Sequence, residues 1–184
     1  DLNQKEDAEQ LHREALEIRR RLAQKNPEAF EPDLADSCNN LATLLRDLDQ
    51  NKEAEQLYRE ALDIRRRLAQ KNPDAFEPAL AKGCNNLAIL LSKLDQNEES
   101  EQLYRETLEI YRRLVQKNPV VFEPHLADTC NGLANLFNNL NQKKEAEQLY
   151  CEALEIYRRL AQKNRAAFEL YLARSCNGLA NLLN

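Results

Sequence analysis

The sequence predicts an all-α chain, an α-solenoid of antiparallel helix pairs, on three observations. A block of 46 residues recurs four times across the 184, each block holds two stretches with apolar residues at three- and four-residue steps, and all 6 prolines fall in one recurring connection. Periods of this length are the signature of stacked repeats. The run from Lys52 to Pro73 returns from Glu98 and Lys144, and less completely near Glu6. Cys38-Asn-Asn-Leu-Ala returns as Cys84-Asn-Asn-Leu-Ala, Cys130-Asn-Gly-Leu-Ala and Cys176-Asn-Gly-Leu-Ala.

The longer helix of each block, hereafter helix B, is predicted over about 52–71. Ala54, Leu57, Tyr58, Ala61, Ile64 and Leu68 form its apolar stripe, with Glu53, Glu55, Arg59, Glu60, Arg65 and Arg66 opposite. Acidic residues come early and basic ones late, which suits the helix dipole, and Asp63 precedes Arg67 by one turn. Helix A is predicted over about 78–94, opening at Pro78 and burying Leu80, Cys84, Leu87, Ala88 and Leu91. The connections are Asp-Gln-Asn near 49–51, whose Asp and Asn are expected to cap the next helix, and Asn-Pro-x-x-Phe-Glu-Pro at 26–32, 72–78 and 118–124. Arg165 and Leu170 replace the prolines in the last copy, so that junction is expected to be less rigidly set.

Composition excludes several classes of function. The 31 acidic against 26 basic residues, net −5, give no broad positive field for a phosphate backbone, so nucleic acid is not an expected partner. The longest apolar runs, such as 87–91, fall far short of the ~20 residues of a membrane span, and a soluble, cytoplasmic chain is expected. With 0 Met the chain reads as a fragment of a longer array: helix B of a first repeat, three full periods and a shortened helix A, one repeat domain over 1–184.

With the helices placed, the chain resembles the tetratricopeptide repeat family. Cys38, Leu41, Ala42 and Leu45 resemble its helix A pattern, and Ala54, Tyr58 and Ala61 its helix B pattern; both sets recur down the chain. The block exceeds the family's usual period of about 34 residues, and Cys38 and Asp49 stand where the family has Trp and an interhelical Gly. Longer repeats of this kind are similar to those of kinesin light chains and of bacterial multidomain proteins. The resemblance implies a right-handed superhelix and a non-enzymatic scaffold that binds a protein or peptide in a concave groove lined by helix A.

On helix A, Leu41, Ala42 and Leu45 as the buried stripe leave Asp36, Asn39, Asn40, Thr43, Arg46 and Asp47 facing away. The Asn39 position repeats as Asn85, Asn131 and Asn177, a ladder whose amides could pair with peptide groups of an extended ligand. Side-chain choice falls to flanking positions: Lys82 and Arg174 at the rim with Asp36 and Asp128, and Ile89, Asn135 and Asn181 one turn beyond, with Asn138 nearby. Gly132 and Gly178 replace Asn40 and Asn86 in the later copies and are expected to leave room for a ligand backbone. The alternative is that Asn and Gly here let one repeat's helix A approach the next. A grip on a C-terminal carboxylate, known in the family, would have only Lys82 and Arg174 to work with.

No catalytic, metal or cofactor site is expected. The periodic Cys come from different helices about 8–10 Å apart, too far to share a metal or a disulfide, and read as core. Cys151 replaces Arg13, Arg59 and Arg105 at a polar position and is expected to be exposed. His12 stands in the Tyr58 slot as a packing residue, and His125 lies five residues before Cys130, about 140° around the helix, so the two do not form a base and nucleophile. Finally, 181–184 followed by 1–4 reproduces 135–142 in register, so head-to-tail self-association through the terminal helices is expected.

Overall fold

The computed structural model describes residues 2–184, with side chains from Lys5 onward. The junction expected of residues 1–4 therefore lies outside the described side chains. Among the described residues there are eight helices and no strand, in two compact units. Unit 1, Asp1–Lys93, holds α1 (Leu2–Lys25), α2 (Pro27–Asp47), α3 (Asn51–Lys71) and α4 (Pro73–Lys93). Unit 2, Leu94–Asn184, holds α5 (Asn97–Lys117), α6 (Pro119–Asn139), α7 (Lys143–Lys163) and α8 (Arg165–Leu183). Within each unit every helix packs on the next, and the two helices of type A, α2 with α4 and α6 with α8, also touch.

Helix A starts about one and a half turns earlier than its prolines suggested. It opens at Pro27, Pro73 and Pro119, leaving Pro32, Pro78 and Pro124 inside the helix. The reason is the preceding Asn. Asn26 Oδ1 accepts from the Ala29 amide at 3.3 Å, Asn72 from Ala75 at 3.2 Å and Asn118 from Val121 at 3.4 Å, capping a helix whose first residue is a proline with no N–H to satisfy. The expected seven-residue connection is thus a single-residue joint. The last joint follows suit: Asn164 accepts from Ala167 at 3.2 Å and α8 begins at Arg165, because the cap and not the proline makes the joint.

The other connection also differs from expectation. Asp49, Asp95 and Asn141 take a left-handed backbone, φ 59°, and do not cap the following helix. Gln50, Gln96 and Gln142 stand at the cap position without a side-chain bond. The Gln50 amide instead donates to Leu45 O at 2.8 Å, and Gln142 to Phe137 O at 2.8 Å, closing the end of helix A through a left-handed residue just beyond the C-cap. An L side chain pays for that conformation, so Asp95→Gly is expected to raise the unfolding free energy by about 0.5–1 kcal/mol, read as an upward shift of the urea midpoint. An unchanged or lower midpoint would show that Asp95 is held there at no cost.

In unit 1 the core is Leu34, Ala35, Cys38, Leu41, Ala42 and Leu45 of α2 against Ala54, Leu57, Tyr58, Ala61, Ile64 and Leu68 of α3, as the periodicity predicts. In unit 2 the buried core holds Cys130, Leu133, Leu136 and Phe137 of α6 with Tyr104 of α5 and Tyr150, Ile156 and Leu160 of α7. Three periodic cysteines are buried, but Cys176 is exposed. Cys38 lies among charges of α1 and α3, and Cys130 among those of α5 and α7, whereas among the described residues α8 packs on α7 and α6 alone. Cys151 is exposed as its polar slot requires.

Candidate functional site

Helix A is flanked by helix B on one side and by the next helix A on another, so only a narrow strip of it meets solvent. Asn39, expected to face away, is 3% exposed. Its Oδ1 accepts from Asn86 Nδ2 of α4 at 3.0 Å and from Arg65 Nη1 of α3 at 3.3 Å. Arg65 stands on the expected polar side of helix B, yet it too is 3% exposed. Its Nη2 reaches Asp36 at 2.8 Å, so the guanidinium threads between helices to bridge the buried Asn39 and the exposed Asp36 of α2. Arg67, read as the partner of Asp63, bonds Glu31 of α2 at 2.9 Å.

Thr43, one turn beyond, donates to the Asn39 carbonyl at 2.9 Å and shares a 2.9 Å hydrogen bond with Tyr58 Oη. Burial holds the Tyr58 phenol above its ordinary value against the opposing pull of Thr43 and Arg46. These contacts form the floor of a groove of about 510 Å³ in unit 1, lined by His12, Asn39, Asn40, Thr43, Leu44, Arg46, Asp47, Lys82 and Asn86. Five expected residues, Asn39, Asn40, Thr43, Lys82 and Asn86, come together there. Asn40 and Lys82 are exposed, Asn86 is half-buried, and Arg46 is engaged with Asp47 at 2.9 Å. Asn85 is half-buried and Ile89 40% exposed, neither lining this groove.

Unit 2 repeats the seam with different partners. Asn131 Nδ2 donates to Ser175 Oγ of α8 at 2.7 Å, while its buried Oδ1 has no partner among the described residues. Tyr150 Oη donates to Asn135 Oδ1 at 2.5 Å, the counterpart of the Tyr58–Thr43 bond. Asn138 is half-buried, and Arg174, Asn177 and Asn181 are exposed on α8. The room expected at Gly132 and Gly178 is already filled. A Cβ at Gly132 would lie 2.8 Å from Tyr104 Cε1, and one at Gly178 would lie 2.5 Å from Tyr150 Cε1. Glycine lets a buried tyrosine ring lie against the helix backbone; it does not open a ligand channel.

The sequence reading missed Arg65 and the place of His12 in the groove. A signal for the first was present. The Arg65 position is Arg19, Tyr111 and Tyr157 in the other copies, each a long polar-tipped side chain on the core-facing edge of helix B. Arg19 Nη1 reaches Ser37 Oγ, and Tyr157 Oη reaches Asp128 Oδ1, each at 2.5 Å, so three copies send a helix B head group onto helix A. Tyr111 also stacks on His125, ring centroids 5.5 Å apart.

Among the described residues no group of His, Cys, Asp and Glu could hold a metal ion. Burial pushes the Cys38 thiol up to about 12 and that of Cys130 higher still, which leaves both protonated and non-nucleophilic. The described helices contain none long and apolar enough to cross a membrane.

Paired helices, single-residue joints and an A-to-A polar seam define an all-helical repeat protein. The chain belongs to the tetratricopeptide repeat family, whose model matches residues 1–28, 34–74, 80–119 and 126–164. No curated protein sequence matches it. Among solved structures it is similar to BtubC (BKLC) from P. vanneervenii, a kinesin light chain-like repeat protein, at 28% identity and TM-score 0.70 over 97% of this chain. The apo form of RapI, 17% identical with TM-score 0.68 over 94% of this chain, shares the fold. The chain matches 65% of the length of BtubC and 44% of that of RapI.

Proposed function

We propose that the chain is a protein-interaction scaffold whose helix A groove takes an extended peptide or partner segment. Tetratricopeptide repeats commonly serve as such scaffolds. The observation that carries the reading here is the unit 1 groove, where the exposed Asn40 amide, the Lys82 ammonium and the remaining lone pairs of Asn86 stand over a floor fixed by Asn39, Arg65, Thr43 and Tyr58. A rigid floor spares the ordering cost of binding. The buried Asn39 belongs to that floor. Asn131 and Asn135, with the exposed Asn177 and Asn181, offer a second strip in unit 2. A cytoplasmic setting suits the exposed free thiols of Cys151 and Cys176, which an oxidising compartment would leave open to oxidation.

The test uses peptides selected on the chain from a random library. Asn40→Ala with Lys82→Ala is expected to weaken their affinity by about tenfold by titration calorimetry, the loss of one or two modest polar contacts, with helical circular dichroism unchanged. Undiminished affinity in a folded double variant would remove the groove from consideration.

A second reading is a structural repeat array whose chains associate head to tail. It is supported by exposed apolar residues on α1 and α8, Leu11 at 66%, Ile18 at 40% and Leu183 at 66%. Isolated exposed leucines are ordinary, but the counterparts of Ile18 and Leu183 are buried in every other copy, and those of Leu11 are buried at Leu57 and Leu103.

A further inference from the structure

Resting on that second reading, we propose that the occupant of the open α8 face is α1 of a second copy, seated in the register α3 takes on α2, with Arg158 paired to Glu14 and Glu169 to Arg21 across the contact.

The repeat itself says what covers each face. Leu183 is 66% exposed, while its counterpart Leu45, on the helix that α3 follows, is 0% exposed. On α1, Ile18 is 40% exposed, against 5% for its counterpart Ile64. In each comparison the buried residue differs from the exposed one by the presence of a neighbouring helix of the complementary type. One copy exposes a helix A face and the other a helix B face, so the contact is heterologous and lengthens into an open array wherever its rotation does not close a ring.

Charge complementarity fixes the register. Helix B of one repeat is tied to helix B of the next by Arg20 to Glu60 at 2.5 Å in unit 1 and by Arg112 to Glu152 at 3.0 Å in unit 2. Carried 46 residues on, the same arginine is Arg158, and the glutamate it would meet in a second copy is Glu14. Helix A is tied to the following helix B by Glu31 to Arg67 and by Glu123 to Arg159, both at 2.9 Å. The next members are Glu169, which pairs with Arg165 of its own helix at 2.6 Å and would be shared, and Arg21. One adverse pair accompanies them: Arg174 stands where Asp36 bonds Arg65 and would meet Arg19, whose Nη1 is already held by Ser37 and the Asp33 carbonyl. Two attractions and the apolar cover are set against that repulsion.

The experiment is sedimentation velocity on the whole chain from ~10 μM to ~1 mM at low salt, where exposed pairs are least screened. Concentration-dependent growth in mass is expected. R158E alone and E14R alone are each expected to weaken association about five- to tenfold, because each turns an attraction into a repulsion, and an equimolar mixture of the two variants is expected to restore it. The mixture is the safeguard, since misfolded variants would not rescue each other. A wild-type chain that stays monomeric throughout overturns both the array reading and the register. Association that neither reversal weakens and mixing does not restore overturns the register alone.

Discussion

Leu45→Ala is expected to lower the unfolding free energy by about 2–5 kcal/mol, whereas Leu183→Ala, the same truncation at the same place in the repeat, is expected to cost less than about 0.5 kcal/mol. Leu45 is 0% exposed at the end of α2, closed in by the chain, so truncation loses its transfer free energy and leaves a void. Leu183 is 66% exposed, and little cover is lost when it is shortened. Against a total stability of about 5–15 kcal/mol, the first loss brings the fold near its limit. Urea unfolding at micromolar concentration, followed by circular dichroism, measures both. Equal losses would mean that position in the repeat, and not the cover over it, sets the cost.

The chain is also expected to unfold steeply in alkali. The sign follows from proton counts: burial raises the Cys38 thiol from its ordinary 9.0 to about 12, so between these values the folded chain keeps a proton that the unfolded chain releases. Its stabilisation is complete below pH 9.0 and is lost as pH rises toward 12. For Cys38 alone the loss is about 4 kcal/mol by the upper end of that window. Cys130, and the tyrosines Tyr104 and Tyr157, are raised by burial too, Tyr157 further by its bond to the Asp128 carboxylate, and act in the same direction. Cys38→Ala is therefore expected to move the alkaline midpoint upward even though it leaves a small cavity. A pH titration of the helical signal in which that variant melts at or below the wild-type midpoint would show that the thiol does not carry the effect.

The parts of the fold legible in the sequence are those encoded by neighbours along the chain. Helix B is bounded as expected because Ala54, Tyr58 and Ala61 lie on one stripe and Asn72 ends it. Helix A was misplaced at its start because two prolines compete for the first position, and the deciding contact, Asn72 to the Ala75 amide, depends on a backbone already turned. The site was less legible still. Asn39 is held by residues 26 and 47 positions away, so nothing in its own helix distinguishes an amide facing water from one locked in a seam. Gly132 looked like vacancy, since a sequence shows the missing side chain but not the Tyr104 ring lying over it.

The joints described above also govern how a chain of this kind can change in length. At Asn26, Asn72, Asn118 and Asn164 a single residue both ends one helix and caps the next, so one extra residue would uncouple the stop from the start. Partial insertions there are penalised, whereas a complete 46-residue unit carries its own joint, left-handed turn and seam partners with it. Growth and shrinkage should be quantised in whole units, as links are added to a chain only link by link.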